Sequence, residues 1–342
     1  VSDEAVVQAA RARETEERLS LAATYVPGPV PWLAVSEASG AWIHAISGMR
    51  YLDFGEGARV SLLGHSAASP AHTIQDHLNH YLYPGPVSTM GSLYPVLYAK
   101  ALSRRFPLDD DKPYQVLVCS GVPEARQVIR QLTCDVGVVE IRPVSPTGRI
   151  DGAIVVNLVH QARANGKLVM VNEELSGFGR TGSFLGIHYY DIVPDIFLLG
   201  PAGAGGLPFA AVVAPVRVFE RCSSLGPYFT SPLACAAALG VLSGITPALM
   251  HHVTEMGELL ERLIMEVSQQ FPSHIREVTG MGLLRQVMLT KPERQQEFLV
   301  DCRGRGLILG TELTLTPPLT VLPDEIEAAA DLIADVLMEW GK

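Results

Sequence analysis

Residues 167–182 read KLVMVNEELSGFGRTG: an apolar run that stops at Asn172, an acidic pair at Glu173 and Glu174, and a glycine-punctuated loop from Ser176 to Gly182. A short run rich in valine with glycine close behind predicts a strand that ends in a tight turn. Further on, DIFLLGPAGAGGLP (195–208) repeats the pattern of strand and glycine-rich turn. Upstream, YQVLVCS (114–120) precedes PEARQVIRQL (123–132), and VGVVEIRP (136–143) precedes AIVVNLVHQARANG (153–166). Short β-branched runs alternating with amphipathic helices predict an α/β fold, a mostly parallel sheet with helices on both faces.

The chain has 342 residues, 48% hydrophobic and 18% charged, enough for a large core in one or two domains. Its 26 basic and 36 acidic residues leave a net charge of -10 without a basic run. Phosphate backbones therefore meet no electrostatic footprint, and nucleic acid is not expected as a partner. Cys119, Cys134, Cys222, Cys235 and Cys302 stand singly, a usage that suits thiols in a reducing compartment. The start VSDEAVVQAARARETEERL is polar where a signal peptide is apolar, and no run has the length of a membrane span. A cytoplasmic protein without a membrane partner is expected. His251 and His252 lack the i, i+4 spacing of a metal pair, so no metal is expected.

Capping chemistry at Ser2 and Asp3 opens a helical pattern, and AWIHAISGMRYLDF (41–54) alternates around Ser47 and Gly48 like a hairpin. After Pro232 come two helical stretches, the second long enough to bridge two lobes, before REVTGMGLLRQVML (276–289) returns to strand. Pro323 and the acids behind it suit the N-terminus of a last helix. The division read from this order is residues 1–54 as the N-terminal part of a small lobe, 55–245 as a shortened large α/β lobe, and 246–342 as the C-terminal part of the small lobe.

Taken in order, RYLDF, GHSAASP, VCSGVPEA, VNEELSGFGRTG, YYDIVPDIFLLGPAGAGGLP, SPLACAAALGVL and PPLTVLPDEIEAA resemble the class III aminotransferases of the ornithine and 4-aminobutyrate type, within the fold type I enzymes of pyridoxal phosphate. The resemblance covers most of the chain. It implies the fold type I α/β architecture with a smaller α+β lobe, and a homodimer whose active sites lie at the two-fold interface.

Carried over residue by residue, the resemblance implies a site that departs from the family. Asn172 stands where the family has the aspartate that pairs with the pyridinium nitrogen, and Glu174 where an apolar side chain covers the ring. Pro201 takes the position of the Schiff-base lysine. Val122 replaces the small hydroxyl residue at the phosphate, and Pro123 behind it removes an N–H. Pro227 replaces a phosphate-binding threonine from across the interface, and Thr314 the arginine that grips the substrate carboxylate. The family's segment with the ring-stacking aromatic, between PEARQVIRQL and VGVVEIRP, is missing. On this reading no cofactor is expected.

Most retained motifs read as scaffold, with Arg180 holding a loop and Glu173 structural. Glu174 is the new ionisable group on the old pocket wall and is expected as a general acid or base. Asn172 and His65 follow as candidates, as does Tyr228, which could reach across a dimer interface. The expected function is a repurposed, cofactor-independent enzyme of isomerase, cyclase, dehydratase or condensation type, acting on a small biosynthetic intermediate in the vacated cleft. The alternative is a non-catalytic pseudoenzyme serving as subunit or regulatory partner, and a conventional aminotransferase is placed last.

Overall fold

The computed structural model describes residues 33–81, 92–106, 113–222, 225 and 229–340. The helix expected after Ser2 and Asp3 lies outside them, as do Pro227 and Tyr228. The chain opens with β1 (Val35–Ser39), β2 (Trp42–Ala45) and β3 (Arg50–Phe54), followed by α1 (Glu56–Val60), α2 (Ala68–His80) and α3 (Leu93–Ser103). Next come β4 (Gln115–Cys119), α4 (Val122–Leu132), β5 (Val138–Ile141) and the short β6 (Val144–Ser145) and β7 (Gly148–Arg149). α5 (Gly152–Ala164), β8 (Leu168–Asn172), β9 (Ile196–Leu199), β10 (Ala210–Ala214) and α6 (Val216–Phe219) follow. Then α7 (Pro232–Gly244) and α8 (Pro247–Gln270) lead to β11 (Ile275–Met281) and β12 (Leu284–Leu289). The described chain closes with α9 (Gln295–Gly304), β13 (Leu307–Leu309), β14 (Thr314–Leu315) and α10 (Pro323–Trp340).

The central sheet has the order β4-β10-β9-β8-β5. β5, β8 and β9 pair in parallel, while β10 is antiparallel to both β9 and β4. Four strands therefore point one way and β10 alone runs against them. The reason is local, because β9 reaches β10 through the glycine-rich turn without a crossover helix. β9 and β10 are buried at every residue, as a sheet covered on both faces requires. α4 shows the matching helical stripe, with Ala125, Val128, Ile129 and Leu132 buried. Four strands thus end on one side, which carries Glu140 and Asn172 at the ends of β5 and β8 and Ser120 and Gly200 just after β4 and β9.

The remaining strands tie the ends of the chain to each other. β1, β2, β3 and β13 form one sheet, in which Leu52 of β3 pairs in parallel with Leu307 of β13, and β11, β12 and β14 form another. α7 is buried over nearly its whole length, with Ser69 Oγ of α2 donating to the Gly240 carbonyl. Among the described residues no single helix is long and apolar enough to cross a membrane; α7 and α8 meet that length only as a pair bent by 75°.

Candidate functional site

β8 delivers Asn172 to the sheet edge and the chain then turns sharply. Glu173, buried, accepts hydrogen bonds from Ser176 Oγ at 2.5 Å, Ile187 N–H at 2.8 Å and Gly186 N–H at 2.9 Å. Burial pushes its carboxyl up to about 7 against the pull of those three donors. Arg180, also fully buried, donates to the carbonyls of Pro317, Leu283 and Arg59, and burial lowers it to about 9. Glu173 closes the loop on itself, and Arg180 ties it to distant segments through backbone carbonyls. Between them Phe178 sits at φ 58, where a bulky side chain is strained. Its ring packs on Gly203, where no Cβ would fit.

Glu174 faces the other way and is half-buried. Its Oε1 accepts from Asn172 Nδ2 at 2.9 Å and from Arg126 of α4 at 3.1 Å. Arg126 also grips Glu140 at the end of β5 with two nitrogens, at 2.9 and 3.1 Å, and Asn172 Nδ2 donates to the same Glu140 at 2.8 Å. The hydrogen bonds from Arg126 above all hold the Glu140 carboxyl down at about 2, with Asn172 adding to the pull, and they raise the guanidinium in turn. The sequence reading had Glu174 as an acid or base on the old pocket wall, and the geometry sets its carboxylate in a four-residue network. Arg126 and Glu140 were missed because they sit on separate elements, 14 residues apart in the chain.

Glu124, in the first turn of α4, was missed as well. One of its carboxylate oxygens accepts from Ser120 N–H at 2.6 Å and Ser120 Oγ at 2.9 Å, the other from Phe229 N–H at 2.8 Å. The N-cap is Gly121, so this contact, four residues back, is not the capping box that a serine three residues before a glutamate would signal.

The other sequence candidates are spread out. His65 Nε2 lies 2.9 Å from Asp53 Oδ2, which is buried, while Asp53 Oδ1 accepts Gly55 N–H. His65 lines a cavity of about 240 Å³ with Leu62, Pro70, Ala204 and Val241, and neither Asn172 nor Glu174 borders it. Val122 begins α4, and Pro201 begins a single 3-10 turn, Pro201–Ala204, beside Glu174. Thr314 is buried in β14 opposite Gln286. Among the described residues, no group of three or more His, Cys, Asp or Glu is placed to hold a metal.

A fold type I aminotransferase-like α/β fold is what this architecture defines. Ornithine aminotransferase from Plasmodium yoelii superposes with a TM-score of 0.82 at 18% identity, over 95% of this chain and 99% of that one. The model of class III aminotransferases matches residues 151–337, more than half of the sequence, and the chain belongs to that family. Members of the class are typically homodimers acting on small molecules. The mitochondrial ornithine aminotransferase of rice, Oryza sativa subsp. japonica, is 32% identical over 186 residues, which are 50% of this chain and 39% of the relative. The mitochondrial acetylornithine aminotransferase of Alnus glutinosa is 31% identical over 264 residues, 73% of this chain and 56% of the relative. The chain spans about half the length of the curated relatives it matches.

These relatives overturn the expected function. They are named as aminotransferases, so the readings of a cofactor-independent isomerase, cyclase, dehydratase or condensing enzyme and of a pseudoenzyme give way to the aminotransferase placed last. The sequence argument weighed substitutions at single positions, whereas the kinship runs through the whole segment that builds the loop and the C-terminal strands. Three features of the site depart from those the resemblance implies for pyridoxal phosphate. Pro201 offers no amine, the Arg126 network lies at the end of β8, and Glu124 in the first turn of α4 binds Ser120 and Phe229.

Proposed function

We propose that the chain handles small amino acids of the ornithine or N-acetylornithine kind as a class III aminotransferase. The observation that carries this reading is the frame beneath the sheet edge, where buried Glu173 closes the SGFGRTG loop and Arg180 ties it to the carbonyls of Leu283 and Pro317 beside the C-terminal strands, within the matched segment. The names of the relatives in rice and Alnus glutinosa supply the substrate class. In this reading Glu140 and Glu174 offer carboxylate to an amine at the sheet edge and Arg126 sets their orientation. Glu174, Asn172, His65 and Tyr228 stay the residues proposed for the site, within the three-part division at residues 54 and 245. A homodimer in the cytoplasm completes the proposal.

The test supplies purified protein with ornithine or N-acetylornithine, an oxo-acid acceptor and saturating pyridoxal phosphate, and follows the new amino acid by chromatography. Product above the protein-free control, from a sample that sediments as a dimer, is expected. Failure with both donors overturns the reading.

A further inference from the structure

We infer that the cavity beside His65 is a binding site for a small apolar molecule that carries one hydroxyl group, an aliphatic alcohol or a phenol. Its walls come from the loop before α2 with Leu62 and His65, from α2 and α7 with Ile74 and Val241, and from the turn after β9 with Ala204 and Leu207. At about 240 Å³ it is larger than the roughly 150 Å³ apolar cavity that takes up benzene. The two helices are already pinned to each other. Ser69 Oγ of α2 lies 2.7 Å from the Gly240 carbonyl and 2.9 Å from Ser243 Oγ of α7, and a Cβ at Gly240 would stand 2.5 Å from Pro70 Cα. The space is therefore not removed by α2 and α7 moving closer.

Two polar side chains on this lining have hydrogen-bonding capacity left over. His65 Nε2–H donates to the Asp53 carboxylate at 2.9 Å, and Nδ1 of the neutral ring is left as an acceptor with no hydrogen bond among the described residues. Asp53 is itself buried and held by Gly55 N–H, and Gly57 leaves room for it, since a Cβ there would stand 2.4 Å from Asp53 Oδ2. The carboxylate thus sets the tautomer and the orientation of the ring. Ser61 Oγ also makes no hydrogen bond among the described residues, whereas Ser66, the other hydroxyl on the lining, already donates to the Ala38 carbonyl. A hydroxyl on an apolar body answers both groups, donating to Nδ1 and accepting from Ser61. A carboxylate brings no donor for Nδ1, and a hydrocarbon displaces water from both groups without replacing its hydrogen bonds.

The full chain, without amino acids or pyridoxal phosphate, is titrated with phenol, toluene and benzoate, by equilibrium dialysis and by thermal unfolding at fixed ionic strength. This readout is separate from the transamination assay. Phenol is expected to bind tighter than either of the others by about tenfold or more and to raise the melting temperature with concentration. His65→Phe keeps an aromatic ring and removes Nδ1, so its preference for phenol over toluene should fall by about tenfold. Should that variant fail to fold because Asp53 loses its partner, Ala71→Phe, at an exposed position of α2 on the cavity, leaves the contact between His65 and Asp53 intact and fills the space. Its affinity for phenol should fall by about tenfold or more. An absence of saturable phenol binding, toluene or benzoate bound as tightly as phenol, or phenol binding unchanged in Ala71→Phe would overturn the inference.

Discussion

Replacing Glu173 with glutamine isolates the titration of one buried carboxyl. Burial raises that carboxyl in the folded chain from the ordinary 4.5 to about 7. The folded state therefore keeps a proton that the unfolded state has released across the interval between those values. The resulting stability is complete below pH 4.5 and is lost as pH rises through about 7, and at 1.36 kcal/mol per pH unit it amounts to about 3 kcal/mol. Glutamine does not titrate, so the variant lacks this slope. It carries a fixed penalty instead, because its amide nitrogen must face one of the donors Ser176, Gly186 or Ile187, at about 1–3 kcal/mol. Urea unfolding of both proteins at several pH values yields the difference curve, in which the wild-type advantage should shrink by about 3 kcal/mol between pH 4.5 and 7.5. Parallel curves would refute the reasoning. A wild-type advantage that grows with pH would mean that the three donors outweigh burial and that the native group is the ion.

Arg126→Met removes the shared cation of the network. Glu140 should then titrate well above its present value of about 2, read by carboxyl-carbon NMR, and the stability it contributes above its ordinary range, now lost only as pH falls toward 2, should go at higher pH. The loss at neutral pH is small, about 1 kcal/mol or less, because both carboxylates are partly exposed; an unchanged Glu140 would count against the network. Gly240→Ala sets helix propensity against packing: alanine gains about 1 kcal/mol in α7. Its Cβ, however, would stand 2.5 Å from Pro70 Cα and 2.7 Å from the Ser69 carbonyl of α2, an overpacking that costs about 1–3 kcal/mol. A lower melting temperature is expected, and an equal or higher one would show that α2 yields.

What could be read from the sequence was whatever depends on neighbours in the chain. The short β-branched runs and the helical stripes set the α/β alternation, because a central strand buries both faces and a covering helix one, whatever they pack against. The glycines and acids of residues 173–182 marked a tight loop beneath the sheet edge, and the structure holds that loop through Glu173 and Arg180. The sequence did not reveal which side chains meet at that edge. Arg126 reaches Glu174 across 48 residues and Phe229 reaches Glu124 across 105, and both contacts exist only because the strand order β4-β10-β9-β8-β5 brings the ends of β4, β5 and β8 to one side. Periodicity reports which face of an element is buried and is silent on its neighbours in space. So Glu174, read in the sequence as a new acid on the old pocket wall, gave no sign of its partners, and only the tertiary structure supplied the guanidinium and the amide that hold it.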